Sequence, residues 1–260
     1  MTTTDTYAVS DTEDGLDGAV AVVTGAARGN GKAQAEVLAD AGAHVFVTDV
    51  LTDQGRDVAE GITADGGAAT FHELDVSSEG NWEELVSEIE AEHGQLDVLV
   101  NNAGIASEAT VVDEDRERWE TTLDVNLTGS WLGMKHCIPL MESTGGGSVV
   151  NISSVYAVRG GYGGGAAAYQ ATKGGVTALT KNAMQAFAAR GVRINSVHPG
   201  YIETPMTAGN DELAEGFLAD TPQDRAGQPA EVARVVYFLA SDLASYVNGS
   251  ELYVDGGWSN

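Results

Sequence analysis

The sequence predicts an α/β protein: one parallel, doubly wound sheet of about seven strands, covered by helices on both faces in three layers. Three observations carry this expectation. Short apolar runs alternate strictly with segments of helical period. Those runs are almost continuously apolar, as strands buried on both faces must be. The first run, AVAVVTG, ends in a glycine-rich turn that opens directly into a helical pattern.

In chain order, Ala19 to Gly25 reads as a buried strand, and Gly31 to Ala41 as a helix with Ala33, Val37 and Leu38 on one side. His44 to Asp49 is the second strand and Asp53 to Ala64 the second helix. ATFHELDV supplies a third strand, Asn81 to Glu92 a helix, and Leu96 to Gly104 a fourth strand. A single long helix is expected from about Asp115 to Met141, then a strand from Gly147 to Ser154 and a helix from about Ala168 to Arg190. Val192 to Gly200 is a sixth strand, PAEVARVVYFLAS a helix and SELYVDGG the last strand. Right-handed crossovers wind such a sheet in both directions and put its site at the carboxyl ends of the strands. The glycine-rich stretches at 143–148 and 159–168 read as loops. Residues 1–15 are expected to form a loose acidic tail, and residues 16–260 a single dinucleotide-binding and catalytic domain.

Composition narrows the function. There are 39 acidic and 13 basic residues, a formal net charge of −26. That charge disfavours nucleic acid and anionic membranes as partners. The acids are spread along the chain, which points to a surface adapted to molar salt, where the screening length falls to ~3 Å. No segment is apolar for the length of a membrane span, and the first residues lack the basic-then-apolar pattern of a secretory signal. A cytoplasmic protein is expected. The lone Cys137 forms no internal disulfide and offers no cysteine metal site. His44, His72, His93, His136 and His198 show no metal-ligand spacing, so no metal is expected.

TGAARGNG, from Thr24 to Gly31, follows a strand and opens a helix. Backbone N–H groups and a helix N-terminus favour negative charge there, so the loop suits a phosphate. Gly25 suits the tight turn, while Gly29 and Gly31 permit close approach of backbone to a pyrophosphate. Asp49 ends the second strand, where an acid accepts hydrogen bonds from an adenosine ribose and repels the extra phosphate of NADP. Arg28 argues the other way, since a guanidinium pairs with phosphate. Asp49 is taken to prevail, which predicts NAD over NADP.

Seven short stretches then occur in order: TGAARGNG, LDV (Leu74 to Val76), NNAG (Asn101 to Gly104), VNLTG (Val125 to Gly129), NISS (Asn151 to Ser154), YQATK (Tyr169 to Lys173) and HPGYIET (His198 to Thr204). Together they resemble the short-chain dehydrogenase/reductase family in its compact form, across nearly everything after Leu16. The resemblance implies a Rossmann-like fold and NAD(P)-dependent interconversion of an alcohol and a ketone. It assigns Asn126, Ser154, Tyr169 and Lys173 to catalysis, with Ser153 as the fallback for the serine. It also implies that Asp75 and Val76 flank the adenine and that Asn102, Ala103 and Gly104 line the adenosine ribose side. Pro199, Gly200, Ile202 and Thr204 would close over the nicotinamide, with Asn30 in the phosphate loop and Lys173 on the nicotinamide ribose. A homotetramer using the last helices and strand is implied as well. Two departures stand out: Asn30 replaces the usual aliphatic residue, and the segment between Ser154 and Tyr169 is about two residues longer than is common.

Elementary chemistry supports the pairing of Tyr169 with Lys173, one helical turn apart. A free tyrosine titrates near pH ~10, too high for a base at neutral pH. An ammonium about 4 Å away, at an effective dielectric near 20, contributes roughly 4 kcal/mol. The expectation is a phenol lowered by about 3 pH units before the opposing effect of desolvation. Ser154 would donate to the substrate oxygen, and Asn126 would anchor a water that passes the proton outward.

A lid from Tyr201 to Asp220, with Met206, Leu213, Phe217 and Leu218, and Tyr156, Val158 and Tyr162 after the serine, describe a moderately apolar pocket. It suits a secondary alcohol or ketone, cyclic rather than polyol. A 3-oxoacyl-carrier-protein reductase shares every motif and is the nearest alternative, followed by a sugar or polyol dehydrogenase. An enoyl reductase would space its tyrosine and lysine more widely. A nucleotide-sensing binding protein is the non-enzyme alternative, disfavoured by the intact Asn126, Ser154, Tyr169 and Lys173.

Overall fold

The computed structural model describes residues 15–161, 164–209 and 211–260. The expected tail up to residue 14 and Tyr162 lie outside the described residues, as does the side chain of Leu213. Seven parallel strands form one sheet in the order β3-β2-β1-β4-β5-β6-β7. They are β1 (Val20–Thr24), β2 (His44–Asp49), β3 (Ala68–Glu73), β4 (Val98–Asn101), β5 (Gly147–Ile152), β6 (Val192–Pro199) and β7 (Glu251–Val254). The order reverses between β1 and β4, so the cleft at their carboxyl ends is the switch point of a Rossmann-like sheet.

The central strands are buried along their whole length, as their continuous apolar sequences require; all five residues of β1 are buried. The edge strand β3 reads AATFHE and is only partly covered. One face of the sheet packs on α1 (Gly29–Asp40), α2 (Thr52–Ala64) and α8 (Pro229–Ala240) through Leu38, Val58, Ile62, Val236 and Leu239. The other packs on α3 (Glu79–Glu92), α5 (Gly129–Ser143) and α6 (Ala167–Phe187) through Trp82, Leu85, Ile89, Leu132 and Ala183. Each buried aliphatic side chain contributes about 1.5–3 kcal/mol. Helix α8 begins with Gln228 and Glu231 in a reciprocal capping box and Pro229 in the first turn, the arrangement that satisfies orphan N–H groups.

One expectation needs correction. The long helix from Asp115 is not one α-helix: α4 (Arg116–Leu123) passes through a single π turn at Asp124–Thr128 before α5 begins. The π turn carries Asn126, fully buried, whose side chain bonds to a neighbouring loop instead of following the helix surface. The lid contains a further helix, α7 (Asp211–Asp220), to which the sequence alone assigns no element.

Candidate active site

A cleft of about 370 Å³ opens at the carboxyl ends of β1, β2, β4, β5 and β6. Its first wall is the turn after β1. Gly25 has φ +64, and a Cβ there would lie 2.8 Å from Ala103 Cα; a Cβ on Gly31 would lie 2.1 Å from the Gly25 carbonyl oxygen. Both positions therefore exclude any side chain, and backbone is exposed to the cleft where a phosphate would sit. Asp49 is the one acid buried among the described residues. Its Oδ2 accepts from the Ala27 N–H (3.0 Å) and its Oδ1 from the Leu51 N–H (3.0 Å). Asn102 binds the same turn from the far side, donating through Nδ2 to the Thr24 carbonyl (2.8 Å). Asp75 and Val76 close this end, with Asp75 Oδ1 accepting from Ser77 Oγ (2.6 Å). This wall fits a dinucleotide: a side-chain-free turn at a helix N-terminus, with a carboxylate at the end of the second strand.

The opposite wall carries Ser153, Ser154, Tyr169 and Lys173, with Pro199, Gly200, Ile202 and Thr204 along its rim. Arg28, Gly29, Asn30 and Gly104 line the cleft too, so the expected site residues converge on it with one exception. Asn126 lies behind the wall, fully buried. Its Oδ1 accepts from the Ile105 N–H (2.8 Å), and its Nδ2 donates to the Ile105 carbonyl (3.0 Å) and to Thr172 Oγ1 (3.1 Å). Both amide hydrogens are thus committed to protein atoms. The side chain ties the loop after β4 to α6, one residue from Lys173.

The Ser153 fallback is answered by geometry. Ser153 Oγ donates to the Lys173 carbonyl (2.9 Å) and meets Thr177 Oγ1 at 3.0 Å, so it anchors α6. Ser154 and Tyr169 line the cleft together, and the Ser154 side chain favours the ionised phenol. Ser154 Oγ also accepts from the Tyr156 N–H (3.2 Å).

Lys173 and Tyr169 are not related as expected. The Lys173 ammonium lies 5.5 Å from the centroid of the Tyr169 ring and donates to the Ile152 carbonyl at 2.7 Å. Burial pushes the lysine down to about 8. The Tyr169 phenol is raised above its ordinary value, chiefly by burial, against the opposing effect of the Ser154 side chain. Desolvation thus outweighs the expected lowering in the protein alone.

Beside Tyr169 an aromatic cluster packs behind the cleft, outside its lining. Tyr156 meets the Tyr169 ring edge-on at 6.3 Å and stacks on Phe217 of α7 at 5.6 Å. Phe217 stacks on Trp258 at 4.8 Å, and Tyr201 approaches Phe217 at 5.6 Å. The Arg159 guanidinium lies 4.4 Å from the Trp258 ring centroid, donates to the Trp258 carbonyl (2.7 Å) and pairs with Asp220 at 3.5 Å. Sequence reasoning found Tyr156 and Phe217 but missed Arg159 and Trp258; the only signal was a lone aromatic residue in the C-terminal VDGGWSN. Met206 lines the cleft, whereas Val158 is exposed.

The histidines hold structural contacts. His44 Nε2 meets Thr70 Oγ1 at 2.9 Å and His72 Nδ1 meets Glu88 Oε2 at 2.8 Å. His136 clusters with Glu79 and Glu83, where the Lys135 ammonium already pairs with Glu79. Among the described residues no helix is long and apolar enough to cross a membrane.

Comparison with known proteins agrees with this geometry. A family model described as enoyl-(acyl carrier protein) reductase matches residues 25–259. The chain is 43% identical over 244 residues to the trans-4-hydroxycyclohexanecarboxylate dehydrogenase of Sinomonas cyclohexanicum, covering 92% of each. It is 42% identical over 243 residues to the cyclopentanol dehydrogenase of Comamonas testosteroni, covering 92% of this chain and 96% of that one. Among solved structures, a gluconate 5-dehydrogenase from Burkholderia cenocepacia J2315, in complex with NADP and tartrate, superimposes with a TM-score of 0.90. It is 33% identical, and the match covers 94% of this chain and 96% of that one.

Proposed function

The chain belongs to the short-chain dehydrogenase/reductase family and is an NAD(P)-dependent oxidoreductase acting on CH–OH groups; from that premise we propose that it interconverts a ring-borne secondary alcohol and its ketone, with Tyr169 as the general acid and base. The observation that carries the reading is that Ser154, Tyr169 and Lys173 line the same cleft as the glycine turn and Asp49.

A bound nicotinamide supplies the hydride acceptor or donor; the residues of this chain supply position and proton handling. The turn at Gly25, Gly29, Asn30 and Gly31, with Arg28, holds the pyrophosphate. Asp75, Val76, Asn102, Ala103 and Gly104 shape the adenosine end. Pro199, Gly200, Ile202 and Thr204 cover the nicotinamide, and Lys173 holds its ribose.

In the oxidation direction Tyr169 Oη takes the alcohol proton while Ser154 Oγ donates to the same substrate oxygen. The cationic oxidised ring and the Lys173 ammonium both favour the phenolate, opposing the burial that raises Tyr169 in the protein alone. In reduction Tyr169 returns the proton. Asn126 keeps the loop at Ile105 and the Lys173 turn of α6 in register.

The ring preference rests on the apolar setting that the aromatic cluster of Tyr156, Phe217, Trp258 and Tyr201 gives Tyr169. The names of the two sequence relatives, both dehydrogenases of ring alcohols, agree with it. NAD is proposed over NADP because Asp49 presents a buried carboxylate where the ribose 2′-oxygen would lie; the NADP-bound structural relative weighs against this. A homotetramer in the cytoplasm is proposed with it, and residues 16–260 acting as one domain.

The test is nicotinamide absorbance with both cofactors over cyclopentanol, cyclohexanols, a sugar acid, a polyol and a β-ketoacyl thioester. Ring alcohols turned over fastest with NAD support the proposal. The sugar acid or thioester turned over fastest, or NADP preferred, overturns the corresponding part.

A salt-adapted surface is proposed from the charge of −26. Thermal melts should climb steeply from dilute buffer to about 1 M KCl as repulsion is screened; a flat melting temperature across that range removes the idea.

A further inference from the structure

His198 was expected to be merely structural, yet its ring reaches the main chain of Ser154. It is fully buried at the end of β6. Its Nδ1 lies 3.0 Å from the Ser154 carbonyl oxygen and its Nε2 lies 2.9 Å from Ser196 Oγ. A carbonyl only accepts, so Nδ1 carries the proton. In the neutral ring Nε2 then accepts from the Ser196 hydroxyl. Burial pushes the imidazole below its ordinary value, which agrees with a neutral ring.

Sheet geometry explains why a side chain is used here. The ladder between β5 and β6 has its last paired residues at Ile152 and Val197, with one further bond from the Ser153 N–H to the Val197 carbonyl (2.8 Å). The next rung of a parallel ladder would run from residue 199 to the Ser153 carbonyl, and Pro199 has no N–H to offer. The ladder therefore stops short of Ser154, which is already beyond the strand and extended at φ −165. The imidazole supplies a donor to Ser154 past the end of the ladder. The Ser154 carbonyl also accepts from the Ala157 N–H (3.0 Å), which starts the turn leading to Tyr156.

The ring is itself held in place. It lies against Tyr253 of β7 at 4.8 Å. Glu251 Oε2 is 3.9 Å from Nε2 and accepts from the Tyr253 hydroxyl (2.9 Å), while Glu251 Oε1 pairs with Lys181 of α6 at 2.5 Å.

We propose that His198 is a positioning residue for Ser154: a neutral imidazole, protonated on Nδ1, that ties the segment beyond β5 to β6 by one side-chain hydrogen bond and so fixes the direction of the Ser154 hydroxyl. The proposal rests on the reading of Ser154 as the donor to the substrate oxygen. It adds a residue outside the cleft that acts only through the serine, since His198 is absent from the cleft lining.

The test compares His198→Leu, His198→Asn and Ser154→Ala in the full chain, measuring kcat, KM and dinucleotide affinity. A small loss of alignment in a reacting group costs up to about 10²-fold. His198→Leu should lower kcat by about 10- to 100-fold and leave dinucleotide affinity unchanged. His198→Asn, whose amide N–H can reach the same carbonyl, should recover most of that loss. General loosening of the fold would lower cofactor affinity as well, and asparagine would not rescue it.

If Ser154→Ala impairs kcat and His198→Leu does not, the positioning role is overturned. If Ser154→Ala leaves kcat unchanged, the reading of the serine fails instead. Should the variants not fold, nitrogen-15 NMR of the intact protein decides. Protonation on Nδ1 alone supports the proposal; protonation on Nε2 alone or on both nitrogens overturns it.

Discussion

The two walls of the cleft are built by different means. The wall around Gly25, Gly31 and Asp49 is made of backbone and one carboxylate, all within a few residues of strand ends. The wall around Tyr169 is made of side chains from the end of β5 and from α6, backed by a cluster that draws on α7 and the C-terminal segment, with Arg159 bridging to Trp258 across 99 positions of sequence. The first wall tolerates little change because any added atom strikes backbone. The second adapts by exchanging side chains. A fold that handles one kind of cofactor and many substrates needs that division.

The largest effect expected on the side-chain wall is Tyr169→Phe. It should lower kcat by about 10²- to 10⁴-fold with dinucleotide affinity intact; a variant that loses both equally would erase the distinction between the walls. The pH profile probes the same group. Tyr169 is raised above its ordinary value in the protein alone, and oxidation needs the phenolate. The kcat/KM for oxidation should therefore rise through the alkaline range, while that for reduction, which needs the phenol, should fall. A flat oxidation profile would assign the proton to another group.

Gly31→Ala tests the backbone wall. Its Cβ would sit 2.1 Å from the Gly25 carbonyl oxygen, a strain of about 1–3 kcal/mol if the turn shifts. A lowered melting temperature and weakened dinucleotide binding are expected together, by calorimetry and titration. Normal binding would mean the turn moves freely. The smallest effect should come from Arg159→Met, which removes the cation over Trp258. Loss of about 1 kcal/mol there should raise KM for a ring alcohol roughly five-fold without touching cofactor affinity. A change in cofactor affinity would join the two walls energetically.

The same division governs what the sequence made legible. Buried parallel strands announce themselves as apolar runs, and the glycine turn is local, so Gly25, Asp49 and the positions of the strands along the chain could be placed from composition and spacing. Tyr169 and Lys173 were legible as a pair because one helical turn separates them. Their interaction was not, because it depends on which carbonyl captures the ammonium, and Ile152 does. The break at Asp124–Thr128 was hidden for a similar reason. DVNLTG carries no glycine or proline before Gly129, and the π turn is coupled to the bond between Asn126 and a loop some twenty residues away. Arg159 and Trp258 were invisible because an aromatic cluster assembled from four segments has no period.

Asp49 carries one more implication. Its two oxygens hold the Ala27 and Leu51 amides as well as facing the ribose position, so the residue that would choose the cofactor is also part of the turn's scaffold. A substitution aimed at admitting NADP removes two backbone bonds at the same stroke, each worth about 1.5–3 kcal/mol when the acceptor is charged. On the proposed role of Asp49, cofactor preference would be epistatic with loop shape. Redesign would have to replace the scaffold before it could exchange the selector, and a single change at position 49 should fail through the loop rather than through the ribose.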